Sequence, residues 1–535
     1  MSSEKYKGRL QFDDALEASG FGKYNYCLLG TCCALILAMY VDIFGLSVLL
    51  PSISCDFALT TNQQGLLSAL PLIGTMISSY VWGLCADTLG RRKTILLAMP
   101  IGSSISLLTS LAPNFIALCI LRFLSACFLS SANTAAFVLM GESVPRHHRS
   151  QFMFLMASST MIGQLSTCLP ALGIFRLSFH IEVPWLNMVY RPWRLLLQTL
   201  CLPSIVMIIA MIFFEESPKF LLSKGRDEEA LEVLKKIFKW NTGSDTELYK
   251  VTSVYLEQSE MTNSTEKSVM KKVWNQTAPL FKPPLLKNSL QLYFILLCAY
   301  MTSTGFTMWI PTVTNAYFDN DSPTTGKTFC EIASSAVRRT LYNNGSSLIK
   351  EDCDDIIKPN TLYAVMVYSG LCGALNLLLT FLVGPLGKKT TTLMIFIITI
   401  SCGVFLLFVR IPMLSILLFF IFPYVALILG NINTYLVELT PTYLRYNDFG
   451  SPLRLRGMAT CLSVLVARGF GFISVQVIAN LLADYCVPLI ISYVLLGLSG
   501  LIAAFFLPAD VKKPVIQEES CKKCSSSDSI DRNKC

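Results

Sequence analysis

Charge is scarce in this 535-residue chain: Asp, Glu, Lys and Arg together make 15% of it, against 53% hydrophobic residues, and the mean hydropathy is +0.54. A soluble protein of that length could not cover so much apolar surface with so little polar surface, so a lipid bilayer is the implied solvent. Histidine is scarcer still, at three residues. With no Cys–His spacing of the zinc type, neither a metal nor another cofactor is expected. The alternating segments of a membrane β-barrel are missing. The first 22 residues lack the apolar run and cleavage pattern of a secretory signal, so the first long apolar stretch is expected to act as an uncleaved insertion signal. The sole Gly-Lys-Thr, at 326–328, has Asp321 where the first P-loop glycine would stand, which argues against an ATP-driven pump. His147 and His148 sit in a basic turn, no catalytic cluster lies at membrane depth, and an enzyme is not expected. Nor is a nucleic-acid partner.

What the chain has in abundance is long apolar runs. Stretches able to cross about 30 Å of hydrocarbon as helices occupy 26–50, 64–86, 94–111, 115–140, 151–174, 195–214, 290–310, 362–383, 391–409, 413–436, 458–480 and 486–507. The fold class is thus an all-α membrane protein of about twelve transmembrane helices. Alternate connections are basic (Arg91 to Lys93, Arg146 to Arg149, Lys388-Lys389), whereas 51–63, 112–114 and 481–485 hold no Lys or Arg. By the positive-inside rule both termini are cytoplasmic; Arg176, Arg191 and Arg194 weaken the rule locally. The expected organisation is a cytoplasmic N-terminus over 1–25 and a six-helix half over 26–214. A cytoplasmic linker over 215–289 leads to a second half over 290–507, which carries an outer loop at 311–361, and a tail follows over 508–535.

Most of the nineteen cysteines lie within apolar runs and read as small core residues. In the outer loop, Cys330 and Cys353 are candidate disulfide partners in an oxidising compartment, and Asn344-Gly345-Ser346 is a glycosylation sequon. Residues 446–456 interrupt the usual short turn before an eleventh span that would begin at Gly457. Their Asn, Asp, Gly and Pro predict an inserted loop bulging from the membrane.

Two motifs recur at one offset. Glu142-x-x-Pro145-x-x-x-Arg149 returns as Glu438-x-x-Pro441-x-x-x-Arg445, 438 − 142 = 296 residues later; Gly90-Arg91-Arg92-Lys93 returns as Gly387-Lys388-Lys389, 387 − 90 = 297 later. A shared offset implies two six-helix halves in parallel repeat. The first motif, Gly83-x-x-x-Asp87-x-x-Gly90-Arg91-Arg92, resembles the signature of the major facilitator superfamily. Further along, Trp193-Arg194, Glu216-Ser217-Pro218, Gly225-Arg226 and the run Gly305 to Pro311 are similar to the synaptic vesicle glycoprotein 2 branch and its organic-ion and sugar-transporter relatives. The large outer domain and long N-terminal extension of the vesicle glycoproteins have no counterpart here.

That resemblance implies a secondary transporter that moves a small polar or charged organic solute by alternating access. It would act as a monomeric unit in the plasma membrane or a secretory or synaptic-type vesicle, ion- or proton-coupled or as a facilitator. The alternative is a non-transporting membrane receptor on the same fold. Ionisable residues at membrane depth are costly and mark candidate sites: Asp42 for a cation or proton, Arg122 and Arg468 for an anionic group. Equally, they could pair with one another and hold the bundle in register. Trp309 matches a cavity tryptophan of the vesicle glycoproteins, or belongs to an interfacial belt; Thr160 stands where those relatives carry an aromatic. The resemblance also implies that Asp87, Arg91 and Arg149 form a gating charge cluster, with Gly384 replacing the aspartate in the second copy.

Overall fold

The computed structural model describes residues 8–177, 179–186, 188–256, 286–318, 326–334, 357–439 and 452–508. The chain opens with strand β1 (Gly8–Gln11) and helix α1 (Phe12–Ala18), then enters the first half. That half comprises α2 (Lys23–Phe57), α3 (Thr61–Leu89), α4 (Arg91–Thr109), α5 (Phe115–Leu129), α6 (Ser131–Ser143), α7 (Arg146–Met161) and α8 (Gly163–Ile174). A hairpin of β2 (Ile181–Val183) and β3 (Met188–Tyr190) leads to α9 (Pro192–Ile212). Between the halves lie α10 (Pro218–Ser223), α11 (Asp227–Thr242) and β4 (Val251–Tyr255). The second half comprises α12 (Leu286–Tyr317), α13 (Pro359–Leu386), α14 (Lys388–Phe408) and α15 (Pro412–Ile421). A 3-10 stretch (Phe422–Ile428) carries on into α16 (Leu429–Leu439), and α17 (Pro452–Leu481) and α18 (Cys486–Phe505) complete it.

Ten helices among the described residues are long and apolar enough to span a bilayer, and the pair α7–α8, bent by 44°, makes an eleventh. The remaining expected span is α4. Arg91, Arg92 and Lys93 occupy its first turn and dilute its apolar content, yet it packs its Ala98, Met99 and Gly102 face into the first half. Most spans expose a leucine- and isoleucine-rich face (Leu108, Ile120, Leu202, Ile209, Leu378, Ile397), as lipid contact requires, while small residues line the helix contacts.

The parallel repeat is visible in the backbone. Gly90 and Gly387, with φ of 111° and 85°, end α3 and α13 in a conformation that favours glycine and turn the chain directly into the next helix. Four residues on, Thr94 and Thr391 each donate through N and Oγ1 to the glycine carbonyl, both hydroxyl bonds being 2.7 Å. The same local turn is built twice, 391 − 94 = 297 residues apart.

Two expectations are corrected, and the N-terminal segment holds structure that the sequence reading did not foresee. Cys330 pairs with Cys486, not with Cys353, which lies outside the described residues. The helical turn at 329–334 stacks Phe329 on Phe419 of α15, 4.7 Å between ring centroids. This brings Cys330 to the first residue of α18 with a Cα–Cα distance of 5.5 Å, well suited to a disulfide. The eleventh span begins at Pro452 rather than Gly457, so 452–456 prolong α17; proline is at home at a helix start. The N-terminal segment is not merely polar. β1 pairs in parallel with β4, and α1 buries Phe12, Ala15 and Leu16 at helical spacing against the linker.

Candidate functional site

Asp42, near the middle of α2, lies inside the first half. Its Oδ1 accepts from Arg122 Nη1 of α5 and from Ser106 Oγ of α4, each at 2.7 Å; its Oδ2 accepts from Ser125 Oγ at 3.2 Å. Arg122 also donates to the Asp42 carbonyl. The two side chains are 5% and 1% exposed. Opposite charges this dry lose more hydration than a surface pair, and both lone-pair sets of the carboxylate need partners; α4 and α5 supply them. Beside the pair, Ser103, Cys201 and Ser204 help line a cavity of about 20 Å³, on the scale of one water molecule. The sequence could not tell whether Asp42 and Arg122 serve a solute or each other; here they engage each other.

Arg468 lies elsewhere, on α17 of the second half, 7% exposed. Its Nη2 donates to Tyr40 Oη of α2 at 2.8 Å, and its guanidinium lies 5.3 Å from the Tyr40 ring centroid. It therefore crosses the seam between the halves. Other polar links cross the same seam. Gln164 Nε2 donates to the Thr307 carbonyl at 3.2 Å, Ser369 Oγ donates to the Met161 carbonyl at 2.9 Å, and Asn376 Nδ2 donates to Ser158 Oγ at 3.1 Å. Trp309 does not line an open cavity. It is 2% exposed, and its Nε1 points at the Val475 carbonyl of α17, 3.4 Å away. Thr160 is half-buried before the α7–α8 bend and donates to its own helix at Ala157.

At the basic end of the first half, Arg91 is the centre of the network. It reaches Asp87 at 3.1 Å and Glu142 at 3.1 Å, donates to the Ala86 carbonyl, and lies over the Phe220 ring at 5.0 Å. Glu142 in turn accepts from Ser217 Oγ at 2.5 Å. Arg92 anchors to the end of α9, donating to the Ile212 carbonyl at 2.6 Å. Sequence reasoning missed Glu216, which accepts from the backbone N–H groups of Arg92 (3.0 Å) and Lys93 (3.3 Å) and so caps α4. The one signal was the Glu-Ser-Pro triplet after the sixth span. Pro145 is the N-cap of α7. Gly83 lies within α3 with open space around it.

Arg149 is not part of the Asp87–Arg91 cluster. It pairs with Asp13 of α1 at 3.1 Å, as does Arg146 at 2.5 Å, because the N-terminal strap brings that carboxylate onto the turn before α7. Burial raises the Asp13 pKa, but the two guanidiniums outweigh it and hold the carboxyl below its ordinary value. In the second copy, Glu438 ends α16, while Pro441 and Arg445 lie outside the described residues, as does Asn344. At the opposite end of the bundle, Asp56 binds Arg191 and Arg194, each at 3.0 Å, and Arg194 also donates to the carbonyls of Ser110 and Ala112. This pairing accounts for two of the arginines that weakened the charge rule.

The sequence profile described as sugar (and other) transporter matches residues 18–312, and the chain belongs to that family. It is a multi-pass membrane protein of the major facilitator fold. Synaptic vesicle glycoprotein 2B of Homo sapiens is 24% identical over 340 residues, 60% of this chain and 49% of that protein. The chain therefore spans about half the length of that relative. The putative transporter SVOPL of Homo sapiens is 26% identical over 518 residues, 95% of this chain and 93% of the other. Among solved structures, the partially occluded inward-open xylose transporter XylE of E. coli superposes with a TM-score of 0.60 at 16% identity, covering 91% of this chain and all of that one. That similarity carries the fold alone.

Proposed function

We propose that the chain is a secondary transporter for a small organic solute, working as a monomeric unit that alternates access across the seam between its halves, with Asp42–Arg122 as its coupling element. The observation that carries this is a fully buried carboxylate–guanidinium pair that ties α2, α4 and α5 together inside the first half. Protonation of Asp42 would free Arg122 and change which helix contacts are favoured, so a proton could bias one access state over the other. Both chain termini and the Arg91 network then face the cytoplasm, and Asp56 with the Cys330–Cys486 bridge faces outside or a vesicle lumen. The name of the vesicle relative supports a vesicle membrane as the location.

The test is uptake of a solute panel into proteoliposomes with and without an imposed proton gradient. Asp42→Asn should retain exchange of labelled for unlabelled solute but lose gradient-driven accumulation. Accumulation by Asp42→Asn equal to that of the wild type at every pH would remove the pair from coupling. Absence of uptake of any solute would favour the receptor reading.

A further inference from the structure

Arg468 is the unbalanced charge of the seam. Its hydrogen bond to Tyr40 uses one donor of five, and among the described residues it has no carboxylate partner. The nearest candidate by sequence, Asp42, stands two residues from Tyr40 on α2 but is committed to Arg122 inside the first half. Tyr300 of α12 stands within electrostatic reach of the same guanidinium. A cation buried at this depth without a counter-ion is unfavourable, and an incoming anion removes the imbalance. The flanking surface is aromatic. The Tyr40 ring stacks on Phe44, 5.9 Å between centroids and 11° between planes, and Tyr40 and Tyr300 are only half-buried, unlike Arg468. Such a setting suits a planar apolar body attached to a single negative group.

We propose that Arg468, with Tyr40 contributed by the other half, binds an organic monoanion of the carboxylate or sulfonate class with a ring-like body. This names the solute class of the transport reading above and rests on it for its physiological meaning, but binding itself does not require transport. Because the two residues belong to different halves and already touch, an anion that engages both couples its binding to the contact between α2 and α17.

The experiment is thermal unfolding of the full chain in nanodiscs with benzoate or benzenesulfonate, against benzamide and against chloride at equal ionic strength. Benzoate or benzenesulfonate should raise the midpoint, and benzamide should not. Arg468→Met should abolish the shift, Arg468→Lys should retain part of it, and Tyr40→Phe should weaken half-saturation by roughly three- to tenfold, the scale of one hydrogen bond. Equal shifts for benzoate and benzamide would overturn the proposal, as would an undiminished benzoate shift in Arg468→Met. Chloride reproducing the whole shift would reduce the site to one for inorganic anions and overturn the organic class. If Arg468→Met does not fold, the ligand comparison on the wild type and the Tyr40→Phe series decide. Binding without uptake would count against the transport reading alone; uptake of a neutral solute undiminished in Arg468→Lys and Tyr40→Phe, with no benzoate shift, would count against this site alone.

Discussion

Glu216 and Gly90 form a pair in which each explains the other. The start of α4 leaves backbone N–H groups without helical partners, and a carboxylate satisfies two of them while complementing the helix dipole. It can approach so closely because residue 90 has no side chain: a Cβ there would collide with Glu216 Oε2, and φ at 111° already penalises any other residue. Gly90→Ala should therefore destabilise the protein by about 1–3 kcal/mol, combining backbone strain with a displaced cap. Glu216→Gln should cost less, about 1 kcal/mol, since one amide oxygen still accepts but the charge is lost. Thermal unfolding midpoints of the purified variants check both; a Gly90→Ala midpoint equal to the wild type would mean that Glu216 has room to move aside. The glycine and the Arg91–Asp87 pair could be read from the signature motif. The cap could not, because residues 92 and 216 come together only when α4 and α9 pack side by side.

The N-terminal strap is the least expected element. Its amphipathic signal was present, since Phe12, Ala15 and Leu16 share a helical face, but three residues in a polar lead are easily passed over. Its partners lie more than a hundred residues away. Tyr249 Oη donates to the Ala15 carbonyl at 2.7 Å, Asn241 donates to the Gly20 carbonyl, and Phe21 stacks on His148 at 3.9 Å. Burial pushes the Tyr249 phenol well above its ordinary pKa, so it remains a donor. Asp13 closes the strap onto Arg146 and Arg149. Its carboxyl is held below the ordinary value of 3.8, so this contact contributes fully above that value and is lost only as the pH falls through the lower folded-state one. The Asp13 ion pairs should therefore be insensitive to pH across the physiological range. Asp13→Asn, by contrast, should loosen the strap at every physiological pH, read as faster amide exchange over 8–18 and 251–255. Unchanged exchange in that variant would show that β1–β4 pairing and the buried α1 face suffice without the ion pairs.

At the scale of the molecule, an all-α bundle of long apolar spans, ten or eleven of them among the described residues, and a repeated helix turn were legible because bilayer thickness and motif spacing both act along the chain. What was not legible is which faces meet. The seam closes tightly at the end opposite the Arg91 network, where Gly65 of α3 lies so near Ala479 of α17 that a Cβ on Gly65 would fall 2.5 Å from the alanine methyl. Nothing in the periodicity of either helix singles out that glycine, since both α3 and α17 carry several small residues. Close approach of this kind is a property of one access state, and filling it should favour the other. Gly65→Val should pry the two helices apart at this end while the Arg91 cluster, beyond the opposite end of α3, stays intact. Spin labels at Leu66→Cys and Leu481→Cys, in a background with Cys27, the half-buried free cysteines and the tail cysteines Cys521, Cys524 and Cys535 replaced by serine, should report a longer separation in Gly65→Val than in its absence. The same separation in both would show that α3 and α17 yield locally around the added side chain, and that this contact does not set the balance between the two halves.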